Sequence, residues 1–290
     1  MNNLFFDAVL AETDPMYDAA VITRDGVEYR KNDNCNFCNN SHSVTKFFFA
    51  SAVGILEMQG KLSRTDSVTS FFSPDELPPD YDRKWDAVTV EDALRHKTGI
   101  DTVPYGVDED SDREKIGEDY LKYVFSLKIE EKTGEYRRYS DAAYYLIANI
   151  VTKASGMNAE RFLNETIFLP LHFRQWALAK CPKGVPIAGG GFYARSDDIA
   201  KLGYVYACGG VYEGRRILPE SWIADAMKND YACTQFRDTD VFVKTGAKGQ
   251  MVAFSRQRRA AVAWHGYSND GNARNDRLLE AFVRYLDSRE

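Results

Sequence analysis

Strand-like patterns of apolar and polar residues lie near both ends of this chain of 290 residues. Near the start, residues 17–23 form an apolar run, and Asp25-Gly26 then introduces an alternating segment at 27–30, a pattern typical of a β-hairpin. Near the end, apolar segments at hairpin spacing predict three further strands, at 240–244, 250–254 and 260–265. Because strands occur at both ends, we expect one sheet to which both termini contribute.

Helical spacing of apolar residues dominates the region between these strands. Together with capping residues and glycine stops, it predicts helices at 4–12, 43–58, 89–95, 119–127, 142–151, 158–168, 196–206 and 275–289, and one more that begins near 219. The pattern predicts an α+β fold. Residues 1–60 and 184–290 are expected to form a lobe with an antiparallel sheet, and residues 61–183 an inserted helical lobe.

The segment Ser43-Val44-Thr45-Lys46 places a hydroxyl and an amine three residues apart at the start of a long apolar helix. That spacing puts both side chains on one helical face. A serine hydroxyl becomes a good nucleophile when a nearby base takes its proton, and a lysine can be that base. A helix N-terminus also favours a developing oxyanion. The alternative is a buried helix with a lysine at its mouth, since Ser-x-x-Lys arises about once by chance in such a chain.

Two more polar segments accompany the first one. Tyr139-Ser140-Asp141 lies where a loop enters an apolar helix, and it could be an ordinary helix cap. Lys244-Thr245-Gly246 ends one predicted strand just before the next. It could be a common surface tripeptide, or it could line a cleft with a cation, a hydroxyl and a glycine that lets a ligand approach closely.

The three segments, in this order, resemble the motifs of class C β-lactamase-like and penicillin-binding-protein-like serine hydrolases. Further segments carry the resemblance: 93–100 with its His96-Lys97-Thr98-Gly99, the glycine-rich 188–200, and the closing hairpin at 244–266. The resemblance extends from about residue 17 to the C-terminus. It implies an antiparallel sheet flanked by helices, an all-helical lobe, and an active site in the groove between the lobes.

The resemblance also implies roles for individual residues. Ser43 corresponds to the nucleophile, and Lys46 to the residue that holds or takes its proton. Tyr139 is similar to the family's general base, acting as a phenolate or through a proton shared with Lys46. The sequence leaves open which of Tyr139 and Lys46 is the base.

The resemblance implies a catalytic role for Lys244 as well, and substrate binding for Thr245, Ala247 and Asp141. Lys244 and Thr245 would bind a substrate carboxylate and stabilise charge, and the backbone N–H groups of Ser43 and Ala247 would form the oxyanion hole. Asp141 departs from the family's usual Asn. A carboxylate donates no hydrogen bond unless it is protonated. We therefore expect Asp141 to pair with one of the two lysines and to repel acidic substrates.

These observations predict a serine hydrolase that works through an acyl-enzyme on Ser43 and needs no metal or cofactor. Its expected substrate is a small molecule or short peptide: an ester, an amide, a D-amino peptide or a β-lactam, among which the fold does not choose. The alternative is a catalytically weak penicillin-binding or sensor protein that retains the cleft, which Asp141 motivates.

Composition narrows the possible partners and location. The net charge of −6 and the pI of about 5.4 argue against nucleic acid as a partner. No apolar run is long enough to cross a bilayer, and no secretory signal is visible, so we expect a cytoplasmic protein. The acidic stretch at 101–119 is expected to be a solvated loop, or else a rim that favours amine-bearing substrates.

The sequence gives less support to two other kinds of site, a zinc site and a Ser-His-Asp triad. The odd number of cysteines, five, favours free thiols, and Cys35-x-x-Cys38 lacks the second ligand pair that a zinc site requires. His265 allows a Ser-His-Asp triad in principle. Because Ser43 lies outside any Gly-x-Ser-x-Gly sequence, we interpret His265 as a histidine at the end of a strand.

Overall fold

The main sheet joins the two ends of the chain, as predicted. The computed structural model describes residues 4–32, 34–100 and 116–289. Among these residues, six antiparallel strands pair in the order β2-β1-β11-β10-β9-β8. Their bounds are β1 Met16–Thr23, β2 Gly26–Lys31, β8 Thr234–Gln235, β9 Val241–Gly246, β10 Gln250–Ser255 and β11 Ala260–Gly266. The N-terminal β1 pairs with the C-terminal β11, so the predicted α+β fold is confirmed.

Helices flank the sheet and make up much of the part of the chain that the structure describes. Their bounds are α1 Leu4–Ala11, α2 Thr45–Met58, α3 Val90–Leu94, α4 Tyr120–Ser126, α5 Asp141–Ser155, α6 Ala159–Leu163, α7 Ser196–Ala207, α8 Glu220–Asn229 and α9 Gly271–Asp287. Helix α2 is buried along almost its whole length and packs against α5. This burial explains why its apolar residues occur all round the helix. None of the helices in the described part of the chain has the length and apolar character needed to span a membrane.

Both faces of the sheet are buried. In β1, Ala20 and Ile22 face the core that includes α7, whereas Ala19 and Val21 face the core shared with α1 and α9. The central strands therefore read as nearly continuous apolar runs, because neither face contacts water.

Several local features differ from the sequence prediction. Ser43 lies in a 3₁₀ turn, His42–Val44, and α2 begins only after that turn. The predicted helix at 158–168 is split into α6 and a π-helical turn. Helix α9 starts four residues early, because the Asp270 side chain accepts a hydrogen bond from the Ala273 N–H at 3.1 Å and caps it. Residues 101–115 of the acidic stretch lie outside the described residues.

Short strands escaped the sequence analysis. A small sheet pairs β3 Asn39–Asn40, β5 Phe192–Ala194 and β4 Trp176–Leu178, and a hairpin pairs β6 Val211–Tyr212 with β7 Arg215–Arg216. Strands of two or three residues are too short to carry a periodic signal. The small sheet matters because it ties the segment before Ser43 to the glycine-rich segment.

Candidate active site

The turn that carries Ser43 is held by backbone hydrogen bonds on both sides. The Ser41 N–H donates to the Phe192 carbonyl at 2.8 Å, and the Ser41 carbonyl accepts from the Val44 N–H at 3.1 Å. Ser43 itself is half-buried, and its Oγ donates to the Gly189 carbonyl at 3.4 Å. The serine is thus placed at the N-terminal end of the buried helix α2.

Lys46 is the buried partner of Ser43. Its side chain is 0% exposed, and its Nζ donates to Ser43 Oγ at 3.0 Å, to Asp141 Oδ1 at 2.5 Å and to the Gly189 carbonyl. An ammonium has three N–H donors, so each of them has an acceptor here. A buried cation is tolerated when it is paired and fully hydrogen-bonded in this way.

Glycine at position 189 allows this close arrangement. A Cβ added there would lie 2.6 Å from Asp141 Cβ, which is closer than van der Waals contact allows. Asp141 is the first residue of α5, and the Ser140 side chain caps that helix by accepting from the Ala143 N–H. Asp141 therefore pairs with a lysine, as expected, and that lysine is Lys46.

Two amines lie close to the aromatic ring of Tyr139. Lys46 Nζ is 4.7 Å and Lys244 Nζ 5.2 Å from the centroid of its ring. Contacts of this length are attractive, since the face of an aromatic ring is electronegative. Burial, followed by the charges of Lys46 and Arg137, lowers the pKa of Lys244 from 10.5 to about 7. Lys244 therefore changes its charge near neutral pH.

The end of β9 lies against the serine turn. A Cβ on Gly246 would lie 2.3 Å from the Ser41 carbonyl oxygen, so only glycine fits at this contact. Thr245 is exposed on one side of Gly246, and Ala247 begins the turn Ala247–Gly249 on the other side. Because Gly246 contacts the serine turn, its neighbours Thr245 and Ala247 also lie beside that turn.

Direct contacts connect five of the residues that sequence analysis selected: Ser43, Lys46, Tyr139, Asp141 and Lys244. Sequence reasoning did not foresee the part played by Gly189, whose carbonyl accepts from both Ser43 and Lys46. The signal was present in the glycine-rich segment, but a glycine run alone does not indicate which side chain approaches it.

His96 is a second residue whose position was not foreseen. Its ring centroid lies 4.4 Å from that of Tyr139, and its Nδ1 accepts from the Ser140 N–H at 3.1 Å. Burial, with the charges of Lys244 and Lys46, holds the pKa of His96 well below 6.5. His96 is therefore a neutral imidazole that packs against the tyrosine.

A metal site requires several ligating side chains close together. Within the ranges that the structure describes, no three side chains of His, Cys, Asp or Glu are grouped as a metal site requires.

The chain is similar to known proteins both in sequence and in fold. The chain is 26% identical over 151 residues to an N-acetylmuramyl-L-alanine amidase of Bacillus subtilis strain 168, a match that covers 49% of this chain and only 33% of the amidase. Its fold is similar to that of a penicillin-binding protein homologue from Caulobacter crescentus, with a TM-score of 0.75, 18% identity and coverage of 97% and 95% of the two chains. It is also similar to a family VIII carboxylesterase, with a TM-score of 0.77, 15% identity and the same coverage.

These structural similarities confirm the β-lactamase-like fold that the motifs implied. The model of the β-lactamase family matches residues 40–271, which include all three motifs. The chain therefore belongs to the β-lactamase family.

Proposed function

We propose that the protein is a serine hydrolase that forms an acyl-enzyme on Ser43. One observation carries the proposal: the nucleophile candidate Ser43 Oγ lies 3.0 Å from the Nζ of a fully buried lysine. A hydroxyl in contact with a buried amine, at the start of a rigid helix, is the arrangement that nucleophilic catalysis needs.

Acylation begins when Ser43 Oγ attacks the acyl carbon of the substrate. The new O–C bond forms as the serine proton leaves, and the bond to the leaving group then breaks as that group takes up the proton. Lys46 already donates three hydrogen bonds, so we assign it the role of orienting Ser43. We assign proton transfer to Tyr139, whose ring contacts both lysines. Water then hydrolyses the ester on Ser43 by the reverse sequence of transfers.

The proposed oxyanion hole consists of the backbone N–H groups of Ser43 and Ala247. Contact between Gly246 and the Ser41 carbonyl supports this assignment, because it brings the end of β9 to the serine turn. Removing one donor from such a hole typically raises the barrier by about 2.7–4 kcal/mol.

The proposed substrates are small acyl compounds or short peptides: an ester, an amide, a D-amino peptide or a β-lactam. Lys244 and Thr245 would bind a carboxylate on the substrate. The negative charge of Asp141 is partly balanced by Lys46, since the two groups are 2.5 Å apart. The similar proteins are named as an amidase, a carboxylesterase and a penicillin-binding protein homologue, and these names agree with the amide, the ester and the β-lactam among the proposed substrates.

A catalytically weak penicillin-binding or sensor protein is the second candidate. The short contact between Asp141 and Lys46 favours it, since this contact engages the amine next to the nucleophile. Turnover distinguishes the two functions: a sensor would be acylated and remain so, whereas a hydrolase would release its product.

Hydrolysis of p-nitrophenyl butyrate tests the leading proposal. We expect the wild type to release nitrophenol over many turnovers and Ser43→Ala to lose that activity. Ser70→Ala is the matched control, because it removes an exposed serine hydroxyl that donates only to the Ser67 carbonyl. Full hydrolysis by Ser43→Ala would exclude Ser43 as the nucleophile.

A further inference from the structure

A buried chain of polar side chains lies behind the serine turn. His265 Nε2 is 3.0 Å from Ser41 Oγ, and His265 Nδ1 is 2.6 Å from Asp18 Oδ1. The other oxygen of Asp18 accepts from the Ser196 N–H at 2.8 Å. Ser41, His265 and Asp18 are 0%, 1% and 2% exposed. We call these three residues the Asp18–His265–Ser41 network.

The connectivity of this network is that of a Ser-His-Asp triad. A catalytic serine must reach its substrate, however, and Ser41 is completely buried whereas Ser43 is half-buried. The network is therefore placed behind the nucleophile and not in the cleft. Another role is needed to explain three polar side chains in the interior.

Ser41 is the point at which several parts of the site meet. The Ser41 N–H donates to the carbonyl of Phe192. Gly189, whose carbonyl accepts from Lys46, lies three residues before Phe192 in the chain. The Ser41 carbonyl accepts from the Val44 N–H within the serine turn, and the same oxygen contacts Gly246 at the end of β9. A rotation of Ser41 would therefore move the nucleophile relative to β9.

The other end of the network is rigid. Asp18 and His265 lie opposite each other in the pairing of β1 with β11, two strands that each have a neighbouring strand on both sides, and an irregularity in the register separates this pair from Met16. Asp18 also binds the first turn of α7, where the helix dipole favours a negative charge. Buried polar networks contribute little net stability compared with apolar packing, but they can fix orientation.

We propose that the Asp18–His265–Ser41 network positions the serine turn against β9, so that Ser43 and the oxyanion-hole N–H groups keep their mutual geometry. This inference rests on the proposed function, because it assigns the network to acylation of Ser43. The three residues are positioning residues: their hydrogen bonds connect the serine turn to the sheet and so restrict its movement, and they do not touch the substrate.

Variants that cut the network at different points test the inference. Ser41→Ala removes the hydroxyl. His265→Asn keeps a donor near the position of Nδ1 but loses the reach to Ser41. The matched control is Ser51→Ala, which also removes a fully buried serine hydroxyl from this part of the chain, one that lies 3.0 Å from the Tyr206 hydroxyl and away from the network.

Four quantities are measured for each variant: the rate constant of modification by a fluorophosphonate, kcat and KM for p-nitrophenyl butyrate, and Tm. We expect Ser41→Ala to lower the modification rate and kcat by about 10- to 100-fold, the range that a displacement of about 1 Å produces. KM should stay within about twofold, and Ser51→Ala should keep wild-type kinetics whatever its Tm. The double variant Ser41→Ala/His265→Asn should lose no more than Ser41→Ala alone, because the two residues act as one unit.

Each contrary result has a distinct meaning. If Ser41→Ala, Ser51→Ala and the wild type have equal modification rates and equal kcat, the inference is overturned and the proposed function stays intact. The same holds if the reductions in kcat caused by the two single substitutions multiply in the double variant. A fluorophosphonate adduct on Ser41 would overturn both assignments. A wild type that neither reacts with the probe nor hydrolyses the ester would overturn the proposed function, and the inference with it.

Folding could limit the most direct variant. If Ser41→Ala does not fold, Asp18→Asn takes its place, since it keeps the shape of the side chain and replaces one acceptor by a donor. A folded Asp18→Asn with a reduced modification rate and unchanged KM supports the inference, and one with wild-type rates overturns it.

Discussion

Substitution of Gly189 by alanine should disturb the site more than its single added methyl group suggests. The new Cβ would lie 2.6 Å from Asp141 Cβ and 2.8 Å from Asp141 Cγ. The Gly189 carbonyl meanwhile accepts from Lys46, which is also bonded to Asp141. Relieving the overlap therefore requires either the carboxylate or the carbonyl to move away from the lysine.

The size of the effect follows from the overlap. Ordinary van der Waals contact begins at 3.4 Å, so one of the two segments must move by about 0.8 Å. Displacements of about 1 Å at a catalytic group can cost about 100-fold in rate, which corresponds to about 2.7 kcal/mol in the barrier. We therefore expect Gly189→Ala to lower kcat/KM for p-nitrophenyl butyrate by about 100-fold.

Gly203→Ala is the control for this experiment. A Cβ at Gly203 would meet Val252 at 3.1 Å and Ala261 at 3.2 Å, so it also crowds the interior, but within α7 and against the sheet. We expect this variant to keep wild-type kcat/KM with at most a small change in Tm. If Gly189→Ala folded and kept kcat/KM within about twofold of the wild type, the reasoning from close packing would be refuted.

Three further predictions concern charge, pH and stability. Asp141→Asn should accelerate acylation by penicillin, because it removes a negative charge that faces an acidic substrate, and an unchanged rate in a mass-spectrometric time course would contradict this. Lys244 is charged below its pKa of about 7 and neutral above it, so the ratio of penicillin acylation to ester hydrolysis should fall as the pH rises from about 6 to about 8.5; a constant ratio would argue against carboxylate binding by Lys244. Gly54→Ala would bring a Cβ within 2.5 Å of the buried Trp222 ring, so the free energy of unfolding should fall by about 1–3 kcal/mol, and an unchanged denaturation midpoint would count against this.

The overall fold was accessible from the sequence because its signals are local. Asp25-Gly26 specifies a hairpin between β1 and β2, and the apolar runs near the C-terminus mark the strands beside them. The two-residue strand β3 carried no such signal, because it is formed by pairing with a distant segment. Where long-range pairing determines structure, the local pattern contains too little information.

For the candidate site, the structure shows which of the residues selected by the motifs lie in contact, and their roles stay predictions. Motifs identified Ser43, Lys46 and Lys244, since each motif combines reactive groups within a few residues. The sequence gives no sign of the network behind Ser43: it allows His265 a place in a Ser-His-Asp triad and favours a histidine at the end of a strand, without linking it to Ser41 or Asp18. The role of His265 depends on the register that sets Asp18 opposite His265, 247 positions away, which no local pattern reveals.

Intact-mass spectrometry with a fluorophosphonate and, separately, with penicillin tests the central claim most directly. We expect one fluorophosphonate adduct per wild-type chain, located on Ser43 and absent from Ser43→Ala. A penicillin adduct that forms and clears would identify turnover of a β-lactam, and one that persists would favour the sensor function. If the wild type remains unmodified by the fluorophosphonate, or if Ser43→Ala is modified equally, then Ser43 is not the nucleophile and the proposed function is contradicted.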